Sequence, residues 1–228
     1  MEAGQHHHHH EPHADFVPAA GDARLTGMYD AVIALTVREG KLRGGVIEAV
    51  VAATAGIAEP RILELGCGTG SLSLALDRGV PGARITGIDI DPKALGYARV
   101  KSGAERVTWL QGSITDPPPE PGSWDVVVVS LVLHHLTPEQ QPLALQRARE
   151  ALAPAGTLHV VDFGPPHGPL PRFGFPHMLQ RIDGRRNTAP MGDGELPGMI
   201  ASAGFSDVVL RQRFGTIWGT HERFSASR

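Results

Sequence analysis

The sequence has almost no cysteine, no excess of basic charge and no long apolar run. Cys67 is its only cysteine, so no internal disulfide can form, and we expect a reducing cytoplasm. The 21 Lys and Arg residues are outnumbered by 24 Asp and Glu, and a net charge of −3 offers no footprint for nucleic acid or an anionic membrane. No apolar run reaches transmembrane length, and no secretory leader is recognisable. These absences favour a cytoplasmic protein that does not bind nucleic acid or a membrane.

Histidine is concentrated at the N-terminus. Residues 1–15 hold the run His6–His10 and then His13, which is typical of an affinity tag or of a native metal-binding tail. The segment has no apolar periodicity, so we expect it to be disordered. Residues 16–228 are most simply one domain, and we expect a monomer or a homodimer.

A glycine-rich turn follows a short apolar stretch in the first third of the chain. Residues 62–70 are Ile-Leu-Glu-Leu-Gly-Cys-Gly-Thr-Gly, and a helical pattern begins at Ser71. A buried strand, a tight turn and a helix N-terminus in this order form a nucleotide-type site. The spacing is G-x-G-x-G, not the G-x-G-x-x-G of dinucleotide sites, and no Lys follows as in a phosphate loop. Glu64, just before the turn, would repel a pyrophosphate and would suit a ligand with a cationic end.

Two acidic residues follow the second predicted strand. Asp89 comes about twenty positions after the glycines, where this architecture binds the hydroxyls of a ribose. Asp91 precedes Pro92, which is the pattern of a helix N-cap with proline at the first helical position. We therefore expect Asp89 to bind ribose and Asp91 to cap a helix.

Apolar runs alternate with helical patterns along the rest of the chain. The predicted strands are Arg61–Leu65, Arg84–Ile88, Val107–Gln111, Trp124–Ser130 and Thr157–Asp162, with an antiparallel pair at Val208–Gln212 and Thr216–His221. The predicted helices are Ala23–Arg38, Lys41–Ala55, Gly70–Arg78, Thr137–Leu152 with its N-cap at Thr137, Phe173–Ile182, and a last one from Asp193 or Gly194 to Ala203. Four successive valines in Trp124–Ser130 indicate a central parallel strand that is buried on both faces.

These motifs resemble those of the class I S-adenosylmethionine-dependent methyltransferases. The run Leu133-His134-His135-Leu136 after the fourth strand is similar to the ubiquinone and menaquinone biosynthesis group of that family. The resemblance implies an α/β fold with a Rossmann-like, doubly wound sheet of order 3-2-1-4-5-7-6, its last strand antiparallel, and N-terminal helices that cap the cofactor site. It implies S-adenosylmethionine as cofactor. The positions that would bind it are Glu64, Gly66, Cys67, Gly68, Gly70, Asp89, Ile90, Gly112, Ser113, Ile114 and Ser130.

Some of these positions depart from the family pattern. Ser113 takes the place of an acidic residue that usually contacts the adenine amine, and nearby Asp116 is expected to serve its own turn. Cys67 stands where a small residue is common, and we interpret it as a filler rather than a nucleophile.

Three residues are candidates for catalysis. His134 and His135 lie at the carboxyl end of the fourth strand, where one of them could orient or deprotonate an acceptor, and the alternative is that both are structural. Tyr29 could close over the cofactor or the substrate, and it could equally be a half-buried core residue. We expect no metal site, because adjacent histidines rarely point at one ion and no acidic residue is near them in sequence.

Residues 164–192 are rich in Pro and Gly and would form a lid over the acceptor pocket. Aromatic and basic residues in this segment suit an anionic or aromatic acceptor, and they suit an ordinary amphipathic lid equally well. These residues are Phe173, Phe175, His177, Met178, Arg181, Arg185 and Arg186.

The resemblance implies in-line transfer of a methyl group to a small-molecule acceptor. The acceptor, the atom that is methylated and the need for a general base stay open. Two other functions also stay open. One is a non-catalytic cofactor-binding protein with the same fold. The other is a nicotinamide-dependent oxidoreductase, which the missing third glycine position and Glu64 disfavour.

Overall fold

The apolar runs form one seven-stranded sheet. The structure, a computed structural model, describes residues 39–228. The strands lie in the order β3-β2-β1-β4-β5-β7-β6. They are β1 (Arg61–Leu65), β2 (Arg84–Asp89), β3 (Val107–Gln111), β4 (Trp124–Ser130), β5 (Leu152–Gly164), β6 (Ser206–Gly215) and β7 (Thr220–Ser227). Strands β1 to β5 are parallel, and β7 pairs antiparallel with β5 and with β6. The predicted fold class and strand order are confirmed.

Helices cover both faces of the sheet, as the crossover connections of parallel strands require. They are α1 (Glu39–Ala53), α2 (Ser71–Gly79), α3 (Pro92–Arg99), α4 (Gln140–Ala151), α5 (Pro169–Gly174), α6 (Gln180–Ile182), α7 (Arg185–Gly192) and α8 (Leu196–Ser202). A π-helical turn, Phe175–Leu179, joins α5 to α6, and short 3-10 turns lie at Ala104–Arg106 and Leu133–His135. No helix in the described range 39–228 is both long and apolar enough to cross a bilayer.

The valines of β4 divide the core into two layers. Val126 and Val128 face one cluster of buried residues, and Val127 and Val129 face the other, because side chains alternate along a strand. Helices α1 and α2 cover the first cluster, and α4 and α8 cover the second. The central strand is therefore buried on both faces, as the sequence predicted.

The structure describes only one of the two predicted N-terminal helices. The helix predicted at residues 23–38 lies outside the described residues. The second is described over Glu39–Ala53, and it buries Leu42, Val46 and Val50 against a face of the sheet. Capping of the cofactor site by the first helix stays a prediction.

Several predicted boundaries are wrong. The helix after His135 begins at Gln140, not Thr137, because residues 137–139 form a turn in which the Thr137 carbonyl accepts from the Gln140 amide at 2.9 Å. Strand β5 begins at Leu152, which pairs with Trp124 before a bulge. The second hairpin strand is Thr220–Ser227.

The carboxyl ends of β1, β2, β4 and β5 meet at one edge of the sheet. The chain turns from β1 toward β2 on one side, and β4 lies on the other, so this edge is the switch point where open α/β sheets bind ligands. The predicted candidate residues that the structure describes follow the ends of β1, β2, β3 and β4.

Candidate active site

Three glycines form the turn between β1 and α2. Gly66, Gly68 and Gly70 have φ angles of 76°, 53° and 75°, in the left-handed region that favours glycine. A Cβ on Gly66 would overlap the side chain of Val132, and one on Gly70 would overlap Trp109. A Cβ on Gly68 would meet nothing within 4 Å. Two of these glycines are therefore needed for packing, and the third leaves open space beside the backbone.

Asp89 holds the glycine turn from the end of β2. Its Oδ2 accepts from the Gly68 amide at 2.7 Å, and its Oδ1 accepts from the Asp91 amide at 2.9 Å. Burial raises the pKa of Asp89 while these two hydrogen bonds oppose that rise. Each carboxylate oxygen can accept a further hydrogen bond, so the ribose role is compatible with this geometry. Asp91 caps α3 by accepting from the Lys93 amide at 2.8 Å, as predicted.

Glu64 lies beneath the turn with only 2% of its surface exposed. The Ser73 hydroxyl donates to its Oε2. Burial raises the pKa of Glu64 to about 8, and the hydrogen bond from Ser73 only partly offsets this. The carboxyl group is therefore largely protonated at neutral pH, which corrects the expectation of a permanent negative charge. A cation beside it would favour the ionised form.

Cys67 packs inward from the same turn. Its side chain is 6% exposed, and a Cβ on Gly87 would lie 2.9 Å from the sulfur. Burial, followed by the Glu64 and Asp89 carboxylates, raises the pKa of the Cys67 thiol. A thiol that stays protonated is a poor nucleophile, in agreement with its interpretation as a filler.

The turn after β3 uses its polar groups internally. The Gly112 amide donates to the Asp89 carbonyl at 3.0 Å, and the Ser113 amide donates to Asp116 Oδ2 at 3.1 Å. The Ser113 hydroxyl lies 2.7 Å from that of Thr115. Asp116 thus serves its own turn, as predicted. An adenine contact at Ser113 and the buried Ile114 stays a prediction.

The end of β4 leads into the two histidines through strained backbone. Ser130 is half-buried at the strand end, and Leu131 has a φ of 53°, which is rare for a non-glycine residue. The chain then enters the 3-10 turn that carries His134 and His135, whose ring centroids are 4.1 Å apart. The conformation at Leu131 brings both rings to the carboxyl edge.

Asp162 fixes His134 at the end of β5. Its Oδ1 lies 2.6 Å from His134 Nδ1, and its Oδ2 accepts from the Leu133 amide at 2.9 Å. Burial alone would lower the pKa of His134, but the Asp162 carboxylate offsets this and raises it. Burial would raise the pKa of Asp162, yet its interaction with His134 lowers it. The pair is therefore a buried, hydrogen-bonded contact that fixes the 3-10 turn to the end of β5.

His135 is more accessible than His134 and has a different partner. Its side chain is 29% exposed, and its Nδ1 lies 3.1 Å from Asp183 Oδ1. Asp183 follows α6 in the predicted lid segment, 48 residues along the chain. His134, His135 and Asp183 each offer a ligand atom within 4.8 Å of the others. An acidic residue that is distant in sequence therefore lies beside both histidines in space, and the expected absence of a metal site stays a prediction.

Comparison with known proteins agrees with this geometry. Residues 62–156 match a protein family described as "Methyltransferase domain". This stretch covers β1 to the start of β5, so the part of the chain that forms the glycine turn resembles a methyltransferase domain. The sheet has the fold of the class I methyltransferases, and the sequence resembles that of the ubiquinone and menaquinone biosynthesis enzymes.

Two relatives and one solved structure illustrate the extent of the similarity. The demethylmenaquinone methyltransferase of Thermus thermophilus is 35% identical over 55% of this chain and 57% of its own length. A ubiquinone/menaquinone biosynthesis C-methyltransferase of Syntrophotalea carbinolica is 28% identical over 69% of this chain and 73% of its own. The crystal structure of magnesium protoporphyrin IX methyltransferase from Synechocystis has a TM-score of 0.61 at 22% identity, covering 84% of each chain. The chain spans about half the length of several curated relatives that it matches.

The candidate site includes two residues that the sequence did not indicate, Gln141 and Asp183. Gln141, on α4, is fully buried, and its Nε2 donates to the carbonyl oxygens of Leu133 and Asn187. Asp183 was missed because its partner is distant in sequence and the segment around it has no distinctive motif. Tyr29 lies outside the described residues, so its role stays a prediction.

Proposed function

We propose that the protein transfers the methyl group of S-adenosylmethionine to a small-molecule acceptor. The observation that carries this proposal is the glycine turn at the sheet's carboxyl edge, where Asp89 holds the Gly68 amide at 2.7 Å beside open space. A dinucleotide would place its pyrophosphate at the start of α2, close to the Asp89 carboxyl group that holds the Gly68 amide. A positively charged donor without phosphate suits this edge better.

The residues present fit such a cofactor. The space at Gly68 admits a ligand close to the backbone, and Asp89 retains acceptor capacity for ribose hydroxyls. Ile90 offers a half-buried apolar surface next to Asp89, and Glu64 can balance a cationic group. When bound, S-adenosylmethionine supplies an electrophilic methyl group on a positively charged sulfur. Gly66, Gly70, Gly112 and Ser130 shape the backbone around it.

The chain's own contribution is chiefly to position the reactants and exclude water. Holding two reactants in a near-attack geometry is worth roughly 7–11 kcal/mol. His135, half-buried and paired with Asp183, is the better candidate to accept a proton from the acceptor. His134 is buried against Asp162 and acts as a positioning residue for the turn that carries His135.

The chemical identity of the methyl acceptor is less clearly indicated than that of the cofactor. The relatives named above act on quinone-type precursors by their names, but the family match ends at residue 156. The predicted lid, residues 164–192, lies beyond it and carries Asp183. We therefore propose that this segment covers the acceptor and that the names of the relatives do not identify the acceptor of this protein. A cytoplasmic location and a monomer or homodimer remain part of the proposal, and the buried single thiol of Cys67 supports a reducing environment.

Calorimetric titration tests the cofactor with matched variants. S-adenosylmethionine is expected to bind more tightly than NADH, and Gly68→Arg is expected to abolish binding by filling the open space. Gly96→Arg is the control, because Gly96 lies exposed on α3 with nothing within 4 Å of an added Cβ. Asp89→Ala should abolish binding of S-adenosylmethionine. Asp91→Ala removes the N-cap of α3, so it should lower the free energy of unfolding by about 0.5–2 kcal/mol and leave binding unchanged.

Turnover requires a separate measurement. The protein is incubated with S-adenosylmethionine and a metabolite extract, and products are screened for a mass gain of one methylene. A gain that disappears with Gly68→Arg and persists with Gly96→Arg supports the proposal. Tight cofactor binding without any such product would favour the non-catalytic alternative, and preference for NADH would reject the proposal.

A further inference from the structure

A groove of about 550 Å³, with a mainly apolar wall and a few polar side chains, lies away from the carboxyl edge. Its walls are the C-terminal half of α1 and the strands β5, β6 and β7. The polar side chains that carry the inference are Thr157, His159, Arg211 and Arg223. His159 precedes Asp162 by three residues on β5, which places the groove about 10 Å from the histidine turn.

Buried polar atoms in this groove lack protein partners. In the described part of the chain, Thr157 Oγ1, both ring nitrogens of His159 and Arg223 Nε make no hydrogen bond. His159 is only 4% exposed. Buried polar groups are nearly always hydrogen-bonded, so three such residues in one groove point to a ligand.

Strand register places these groups on one face. Thr157 pairs with Ser227, His159 with Ser225 and Val161 with Arg223 across the β5–β7 ladder. Residues two apart on a strand share a face, so Thr157 and His159 point into the same groove.

A strand irregularity brings a second arginine to the groove. The β6–β7 register shifts between Leu210 and Gln212, so Arg211 lies at a bulge, and bulges are frequent where a side chain is redirected. Arg211 Nε donates to Ser225 Oγ at 2.7 Å, which holds the guanidinium at the mouth of the groove.

The charges in the groove define the ligand. Burial, with a smaller contribution from the Arg223 and Arg211 charges, lowers the pKa of His159 to about 4, so the ring is neutral and supplies one N–H donor. Glu48 and Asp207 also line the groove and reduce its net charge. Affinity must therefore come from convergent hydrogen-bond donors rather than from a general positive field.

We propose that this groove binds a small metabolite through an oxyanion, either a carboxylate or a phosphate, held by Thr157, His159 and Arg223 with Arg211 at the rim. The donors suit an acceptor-only group that presents two or three oxygens. The volume exceeds that of inorganic phosphate and leaves room for a small organic body. This site is independent of the proposed methyl transfer.

The test titrates the full chain with inorganic phosphate, sulfate and citrate at constant ionic strength and pH 7.5, by calorimetry and by NMR of the histidine rings. Phosphate or citrate should bind and should perturb the His159 ring, which is assigned by the signal that is lost in His159→Gln. Arg223→Gln and Thr157→Val should each weaken binding at least tenfold. Thr157→Val keeps the shape of the side chain, so it stays informative if the arginine variant fails to fold.

Arg78→Gln is the control, because it removes the same charge from an exposed position on α2. Its affinity should equal that of the wild type. The preference between citrate and phosphate distinguishes carboxylate from phosphate ligands. The proposal is overturned if none of the three anions binds, if binding leaves the His159 ring unchanged, or if Arg78→Gln weakens binding as much as Arg223→Gln.

Discussion

Two buried carboxyl groups at the carboxyl edge have opposite charge states because their partners differ. Glu64 faces the Ser73 hydroxyl, and burial raises its pKa to about 8. Asp162 faces His134 and two backbone amides, and its interaction with His134 lowers its pKa despite full burial. A neutral hydroxyl stabilises a buried carboxylate less than an imidazolium does. A carboxylate's sequence position therefore does not determine its charge.

Glu64→Gln should change how stability depends on pH. The folded protein holds the Glu64 proton up to about pH 8, whereas the unfolded chain releases it near 4.5. The folded state thus binds more protons between these values, and wild-type stability falls as pH rises through them. Glutamine does not titrate, so the variant should gain relative to wild type between pH 5 and pH 8.

Calorimetric unfolding at pH 5 and pH 8 measures this gain. We expect the difference in Tm between variant and wild type to grow by a few degrees, since about 1 kcal/mol shifts Tm by roughly 2–4 °C in a chain of this size. Glu195→Gln, at an exposed position, should show no such change. A pH-independent difference for Glu64→Gln would mean that the folded protein keeps this carboxylate ionised.

At the scale of elements, the sequence predicted what local patterns determine. The strand bounds of β1, β3 and β4 are correct because apolar runs and flanking turn residues are local. The cap at Asp91 is also local, since Asp before Pro at a helix start acts within three residues. The early start of β5 was missed because it depends on pairing with Trp124, which lies in another strand.

The segment 165–195 was predicted least well, and its packing explains why. It forms α5, a π-helical turn, α6 and α7, although Pro171, Pro176 and Pro190 interrupt the helical pattern. Phe175 is 4% exposed and packs near Phe163 of β5. Tertiary contacts therefore hold these short helices, and the pairing of Asp183 with His135 follows from them and not from any motif.

Two helical glycines should respond oppositely to alanine. Gly174 ends α5 with helical angles, φ −68° and ψ −42°, yet an added Cβ would overlap the Ile217 carbonyl in the β6–β7 turn. Gly198 lies in α8 with nothing within 4 Å. Gly198→Ala should stabilise by about 0.4–1 kcal/mol because it restricts the unfolded chain. Gly174→Ala should destabilise by about 1–3 kcal/mol through overpacking.

Urea unfolding of both variants measures the contrast. Equal stabilisation by the two substitutions would mean that α5 is not packed against the hairpin turn. Equal destabilisation would mean that α8 does not continue through Gly198.

At the scale of the whole molecule, one buried amide side chain, that of Gln141, joins the turn that carries the two histidines to α7. Gln141 Nε2 donates to the carbonyl oxygens of Leu133 at 3.2 Å, Leu136 at 3.1 Å and Asn187 at 2.8 Å. Asn187 Nδ2 in turn donates a hydrogen bond to the His135 carbonyl oxygen at 3.4 Å. The sheet edge and the segment 165–195 are thus coupled through α4 as well as through the pairing of His135 with Asp183.

Gln141→Met keeps the side-chain volume and removes this donor. The buried Leu133 carbonyl and the partly buried carbonyls of Leu136 and Asn187 would lose a partner, so we expect a loss of about 1–3 kcal/mol in the free energy of unfolding. Hydrogen exchange should accelerate in residues 180–192, because the lid would open without global unfolding. Cofactor affinity should stay within twofold, since the hydrogen bonds of Gln141 go to the histidine turn and to Asn187 and not to the glycine turn.

Gln146→Met is the control, because Gln146 is exposed on the same helix, and it should leave stability and exchange unchanged. If the Gln141 variant exchanges uniformly faster along the chain, the amide supports the whole fold and does not specifically couple the lid to the turn.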